Sequence, residues 1–465
     1  MKLKLKEILE AIDGELIKGS EEIEIYSIST DSRKIKEGDL FIPLIGEKYD
    51  GHDFIFDALN KGAKGIIFSK EVDLNILKNN NFAIKVKDTL KALQDLASYY
   101  RDKKEFKVIA ITGSSGKTST KYFTVNLFKD LLPLHFSKEN FNNEIGVPLT
   151  ILEAGEEAKL LILELAMRGL GEIRLLSKIS KPDFGLITNI GTAHIGRLGS
   201  QENIAKAKAE IFEYLKPKGW AILNGDNLWC NRIYNSLSPE ISKIRFGFEE
   251  INDVKGKIDY LENKVKIEVS FPDGKKLEFF MPFYPLEIYQ NLLGSLSLLW
   301  LNFPDFSEDI IENKLNSISL PHQRLDIKKG KKGILIIDDT YNANPDSMKV
   351  AINFLKNLNK GKRKIALLGD MLELGDYSFD FHKEIIEFSI KSGINMLFLF
   401  GEEMEKVFSR IKDLYPKYPL FHEKDFNSLL KIILEEIKDG DLLLVKGSRG
   451  MQMERFVKEL EVKDE

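Results

Sequence analysis

Apolar positions along the chain follow two rhythms. Over residues 3–12 they recur every three to four positions (Leu5, Ile8, Leu9, Ile12), which predicts a helix with one buried face. Short apolar runs follow at Asp39-Leu40-Phe41-Ile42-Pro43-Leu44 and Gly65-Ile66-Ile67-Phe68, and these predict strands. From residue 108 onward, apolar runs at 108–112, 160–165, 184–188 and 220–223 alternate with helical patterns after Lys117, Glu172, Ile204 and Leu286. That alternation predicts a parallel sheet with crossover helices. The stretch 244–283 alternates apolar and polar residues around the turn signal Pro272-Asp273-Gly274, and predicts antiparallel strands. Runs at 334–337, 364–368, 396–399 and 442–445 predict a second doubly wound domain.

Two breaks divide this pattern. Arg101-Asp102-Lys103-Lys104-Glu105 precedes the first buried run, and Asn316-Ser317-Ile318-Ser319-Leu320-Pro321 follows a long helical stretch. The expected α/β domains are 1–103, 104–318 and 319–465, in line with roughly 150 residues per domain. The charge balance, 68 basic against 72 acidic residues, makes no electrostatic case for nucleic acid. The single cysteine, Cys230, rules out an intrachain disulfide. No apolar run approaches the ~20 residues of a membrane helix, and the N-terminus lacks a signal-peptide core, so the expectation is a cytoplasmic enzyme without membrane insertion.

The densest chemistry is Thr112-Gly113-Ser114-Ser115-Gly116-Lys117-Thr118-Ser119, between a buried strand pattern and a helix. Two glycines let backbone amides approach phosphate oxygens, and a helix N-terminus adds partial positive charge. Lys117 can reach β/γ phosphates and the Thr118 hydroxyl can ligate Mg²⁺, which predicts binding of ATP or a close relative.

Other polar groups read two ways. Glu164 ends an apolar run, where a carboxylate can bind Mg²⁺ or form a structural ion pair. His194 follows another strand, and a lone histidine is more often structural than a ligand. Lys206 and Lys208 sit among alanines and read as a solvated helix face. The segment from Asp338 to Ser347, together with Gly369-Asp370-Met371-Leu372-Glu373-Leu374-Gly375 and Lys446-Gly447-Ser448-Arg449-Gly450, follows three strand patterns and predicts a ligand-binding sheet edge.

Taken in order, these clusters resemble the Mur ligases of peptidoglycan synthesis. Ser29-Thr30-Asp31-Ser32-Arg33, Gly38-Asp39-Leu40-Phe41 and Asp50-Gly51-His52-Asp53-Phe54 resemble the family's UDP-binding domain. Residues 112–118 resemble its ATP loop, with the same short spacing. Asn142-Asn143-Glu144-Ile145-Gly146-Val147-Pro148 resembles the segment that meets the muramoyl substrate. The segments 339–348 and 368–375 are the most specific, and point to the member that joins D-alanyl-D-alanine to UDP-N-acetylmuramoyl-tripeptide.

The resemblance implies a small UDP-binding domain, a phosphate-loop ATPase-like domain and a Rossmann-like domain in one monomeric ligase. It implies catalytic or metal-ligand roles for Lys117, Thr118, Glu164, His194 and a carbamylated Lys208. It implies ATP contacts for Gly113 to Ser119, Asn291, Arg324, Asp339, Tyr341 and Asn342. Substrate contacts are implied for Ser29, Asp31, Ser32, Arg33, Asn142, Asn143, Asn344, Ser347 and Lys446. The chain departs from the family twice. Gln290-Asn291-Leu292-Leu293-Gly294-Ser295 keeps only the first Asn of His-Asn-x-x-Asn-Ala, and Pro321-His322-Gln323-Arg324 keeps only the arginine of Pro-Gly-Arg. The implied reaction passes the γ-phosphate of ATP to a carboxylate, and the resulting acyl phosphate is attacked by an amine.

Overall fold

The buried runs become the centres of three sheets in the computed structural model, which describes residues 1–138, 140–262, 264–318 and 320–462. Ser319 and residues 463–465, the two ends of the expected third domain, lie outside the described residues. Among the described residues no helix is long and apolar enough to cross a membrane.

The first sheet has five strands in the order Glu15–Lys18, Phe82–Lys85, Gly65–Phe68, Leu40–Phe41, Ile28–Ser29. The helix expected over 3–12 begins only at Leu5, because Leu3–Lys4 is a short strand paired antiparallel with Glu24–Ile25. Leu3 is buried in the strand, and an apolar residue at this position fits a buried strand or a helix face alike. The helix Thr89–Lys104, capped by the Asp88 carboxylate, ends this region. Its Arg101 is fully buried and donates to the carbonyls of Ser180 and Lys181, both at 2.8 Å, and to Asp183 at 3.2 Å. A buried guanidinium needs such partners, so this helix is fastened to the second sheet.

The second sheet has nine strands, in the order Lys276–Met281, Val265–Ser270, Val254–Tyr260, Ser242–Gly247, Trp220–Asn224, Phe184–Ile187, Lys107–Thr112, Leu160–Glu164, Leu134–Phe136. The stretch 244–283 was expected to be wholly antiparallel, and it is not. Ser242–Gly247 pairs parallel with Trp220–Asn224, and Val254–Tyr260 joins it in parallel before the last three strands turn antiparallel. Alternating burial arises because one face of these outer strands packs inward while the other meets solvent. The edge strand Lys276–Met281 is covered by the helix Glu308–Asn316, whose Glu312 and Asn316 side chains accept from the Glu278 and Phe280 amides.

The third sheet runs Asp326–Lys329, Leu335–Asp338, Leu442–Lys446, Lys364–Gly369, Met396–Phe400, Leu420–Glu423. All pairs are parallel except the first, an antiparallel edge the sequence pattern does not announce. The polar loops after Leu335–Asp338, Leu442–Lys446 and Lys364–Gly369 therefore leave three neighbouring strands at one carboxyl edge. That edge faces the loop after Lys107–Thr112 across a cavity of about 870 Å³.

Candidate active site

The strand Lys107–Thr112 stops at Gly113, whose φ of +153° and contact with Thr188 leave no room for a side chain. A Cβ there would lie 1.8 Å from Thr188 Oγ1. Gly116, at φ +79°, caps the helix Lys117–Phe128, and a Cβ on it would meet Asn291 Oδ1 at 2.3 Å. The turn is held from behind by the neighbouring strand's loop. Ser115 N–H donates to Asn189 Oδ1 at 3.0 Å, and Gly191 N–H donates to Ser114 Oγ at 2.9 Å. The loop is thus built before any anion arrives, with the first-turn amides of a twelve-residue helix at its mouth. Residues 114–119 line the cavity.

Lys117 folds back over the loop, Nζ donating to the Gly113 carbonyl at 2.8 Å. Burial pulls its pKa below the ordinary lysine value, opposed by Glu164 and reinforced by Arg324. Glu164 ends the adjacent strand Leu160–Glu164 and is almost fully buried. Its Oε2 accepts from Thr118 Oγ1 at 3.0 Å and lies 3.3 Å from Lys121 Nζ, while Oε1 accepts from Asn142 at 3.0 Å. Burial alone would raise its pKa, but Lys121, Lys117 and Arg324 outweigh it and the carboxyl stays ionised. His194, at φ +65°, sits at the carboxyl end of the next strand, with Nδ1 2.6 Å from Glu373 Oε2 of the third sheet's domain. Glu373 also faces Arg197 at 3.7 Å and Arg168 at 4.0 Å.

Lys206 and Lys208 separate cleanly. Lys206 is exposed and pairs with Glu202, as a solvated helix face would. Lys208 is buried. Burial, helped by Lys117, lowers its pKa well below the ordinary value against a small opposing effect of Cys230.

Across the cavity, Lys446 Nζ bonds Asp339 at 2.6 Å and the Asn342 carbonyl at 2.9 Å. Arg324 lies over the Tyr341 ring at 4.2 Å, and Tyr341 Oη donates to Asn140 of the second sheet's domain at 3.0 Å. Asn344 and Ser347 line the cavity but also cap the helix Pro345–Asn357, Ser347 N–H donating to Asn344 Oδ1 at 2.9 Å. Asn143 similarly accepts from Gly146 N–H at 2.9 Å at the start of Gly146–Glu153. Ser29, Asp31, Ser32 and Arg33 do not line this cavity. They form a local turn in which Asp31 takes two bonds from the Arg33 guanidinium at 2.9 Å, which holds the Asp31 pKa down to about 2.

Three side-chain contacts around the cavity are not announced by the sequence. Lys121 looks like any helix lysine, yet it is buried against Glu164. Asp346 accepts from Thr192 N–H at 2.6 Å and Thr192 Oγ1 at 2.7 Å, joining residues far apart in the chain. His382, buried beneath the 369–375 loop, carries no motif of its own.

The chain matches three family models in order: Mur ligase family, catalytic domain over residues 24–101, Mur ligase middle domain over 111–299, and Mur ligase, glutamate ligase domain over 323–449. It is 34% identical to the UDP-N-acetylmuramoyl-tripeptide–D-alanyl-D-alanine ligase of Bacillus subtilis, covering 99% of this chain and 98% of the relative. It is 31% identical to the ligase of that name from Escherichia coli, with 98% of each covered. A crystal structure of MurF from Acinetobacter baumannii superposes with a TM-score of 0.88 at 29% identity, covering 99% of this chain and 98% of that one. The MurF ligase of Thermotoga maritima in complex with ADP gives 0.80 at 28% identity, covering 93% and 96%. Phosphate loop, facing sheet edge and full-length similarity agree, and the chain belongs to the Mur ligase family.

Proposed function

We propose that this chain is an ATP-dependent amide ligase that joins the amine of D-alanyl-D-alanine to the terminal carboxylate of UDP-N-acetylmuramoyl-tripeptide. One observation carries the reading: a single cavity has a phosphate loop on one wall and the polar carboxyl edge of a second α/β sheet on the other. Similarity to ligases of this name over nearly the whole chain supports it.

A carboxylate and an amine do not condense at neutral pH without activation. The carboxylate oxygen attacks the γ-phosphorus of ATP, the bond to ADP breaks, and an acyl phosphate forms. The dipeptide amine then adds to the acyl carbon and phosphate leaves with the carboxylate oxygen. Two anions meet in the first step, so Lys117 and Arg324, which both line the cavity, offset their repulsion. Residues 113–119 bind the phosphates, and Asn291, Asp339, Tyr341 and Asn342 orient the rest of ATP. Asn142, Asn143, Asn344, Ser347 and Lys446 face the reacting peptide groups, while Ser29, Asp31, Ser32 and Arg33 bind the UDP end. The reaction works by positioning, which closure of domains around one cleft supplies.

The residues present fit Mg²⁺. No three His, Cys, Asp or Glu side chains converge among the described residues, so the donors are mixed. Thr118 and Glu164 offer two adjacent oxygens, and Glu373 on Nδ1 leaves His194 Nε2 available as a ligand. Burial favours the neutral form of the Lys208 amine, and in that form it can add to carbon dioxide, releasing a proton and leaving a carbamate oxygen donor. Bound there, Mg²⁺ would neutralise phosphate charge. Mass spectrometry of the product tests the assignment: it predicts a UDP-muramoyl-pentapeptide formed only with ATP, UDP-muramoyl-tripeptide and D-alanyl-D-alanine together. Absence of that product from the complete mixture would overturn it.

A further inference from the structure

We propose that His382, in the helix Ser378–Lys391, is a positioning residue for this cleft: its neutral imidazole holds the Met371 amide and thereby sets the loop that presents Glu373 to His194. The inference rests on the ligase reading of the cleft.

His382 is fully buried and both ring nitrogens are engaged. Nε2 lies 2.9 Å from Met371 N, and Nδ1 lies 2.7 Å from the Ser378 carbonyl. A backbone amide only donates and a carbonyl only accepts, so Nε2 must offer its lone pair and Nδ1 must carry the proton. The partners thus select one tautomer and exclude the imidazolium, which would set a ring N–H against the Met371 N–H.

The loop needs this fastening. Glu373 is held at φ +64°, a left-handed conformation that persists in a non-glycine residue only where its surroundings over-determine it. Facing it, His194 is left-handed as well. Three anchors precede Glu373. Asp370 caps the helix Glu402–Leu414 through the Glu403 and Met404 amides, at 3.1 and 2.9 Å. Leu372 N–H donates to Ser448 Oγ at 2.9 Å. The amide between them, that of Met371, falls to His382. Beyond Glu373, Gly375 packs on Gly196 of the facing domain so closely that a Cβ on Gly196 would lie 2.5 Å from Gly375 N. A small shift of the loop is therefore felt directly at the interdomain contact.

The groups facing the ring are the Asp370 and Glu403 carboxylates, which favour its cation, Lys406, which opposes it, and the Ser378 carbonyl and hydroxyl. Burial dominates, so the imidazole titrates below its ordinary 6.5 and the loop is released only in acid.

The test compares wild type, His382→Gln and His382→Ala in the three-substrate reaction across pH. Glutamine supplies an uncharged acceptor that cannot be protonated, and alanine leaves the Met371 amide without one. Wild type should lose activity in acid, and His382→Gln should shift that limb to lower pH while recovering most of the neutral-pH activity that His382→Ala loses. At neutral pH His382→Ala should raise KM for ATP about tenfold, because Glu373 orients the His194 that would hold the nucleotide's Mg²⁺, with KM for the UDP substrate changed less than about twofold. A loss of folded protein cannot alter one KM alone. An acid limb unchanged in His382→Gln, or a KM for ATP unchanged in His382→Ala, overturns the proposal. If His382→Ala does not fold, the His382→Gln profile decides. A wild type inactive with all three substrates would instead remove the ligase reading.

Discussion

Gly191→Ala probes the joint between the second and third sheets' domains with a single methyl group. Gly191 is not in the left-handed region, so alanine imposes no backbone strain. Its Cβ would lie 2.4 Å from Asp346 Oδ2 and 3.5 Å from Ser114 Cβ. The second contact is ordinary and the first is impossible, so Asp346 must move. Asp346 holds both Thr192 hydrogen bonds on that same oxygen. Hydrogen bonds to a charged group contribute about 1.5–3 kcal/mol each. One shared, partly exposed oxygen argues for about 2–3 kcal/mol for the pair. That is about 30- to 150-fold in the ratio of docked to undocked molecules. The assay is kcat/KM for ATP in a double-mutant cycle with Asp346→Ala. Each single variant should lose activity by that factor, and the double variant should be no worse than Asp346→Ala, because the smaller side chain makes room for the methyl group. Additive losses, or a folded Gly191→Ala with wild-type kinetics, would refute the reasoning.

Lys117→Ala should lower the rate of phosphate release in a single turnover by about 100-fold or more, and near-normal release would exclude its role at the γ-phosphate. Lys208 should give a carbamate signal by NMR after equilibration with ¹³C-bicarbonate, and the same signal in Lys208→Ala would assign it elsewhere. Asp31 has its pKa lowered from 3.8 to about 2 by the Arg33 hydrogen bonds, so its contribution to stability is present above 3.8 and is lost as pH falls through about 2. Acid unfolding of Asp31→Asn should accordingly lose part of the pH dependence seen in that window, and a superimposable profile would show that the pair contributes nothing.

The parts of the fold legible in the sequence are those whose environment is uniform. Val108 to Ile111, Leu160 to Leu163 and Leu442 to Val445 are buried on both faces, so their apolar runs are unbroken. Edge strands have no such signature: Leu134–Phe136, Asp326–Lys329 and Leu420–Glu423 are short, mixed in character and partly exposed. Site residues divide in the same way. The phosphate loop is local, so its glycines, Lys117 and Thr118 can be read from spacing. Lys121, Asp346 and Glu373 acquire their partners only through tertiary contacts, with 154 and 179 residues separating Thr192 from Asp346 and His194 from Glu373. Lys206 and Lys208 are two positions apart on one helix, and only packing tells the exposed lysine from the buried one.

In the reaction proposed above, the phosphate loop activates a carboxylate by phosphorylating it. UDP-muramoyl-tripeptide labelled with ¹⁸O in its terminal carboxylate, supplied with ATP and D-alanyl-D-alanine, follows the oxygen directly. Each phosphate released should carry one ¹⁸O, because the oxygen that attacks the γ-phosphorus leaves with it. Unlabelled phosphate, or label found in AMP, would contradict it.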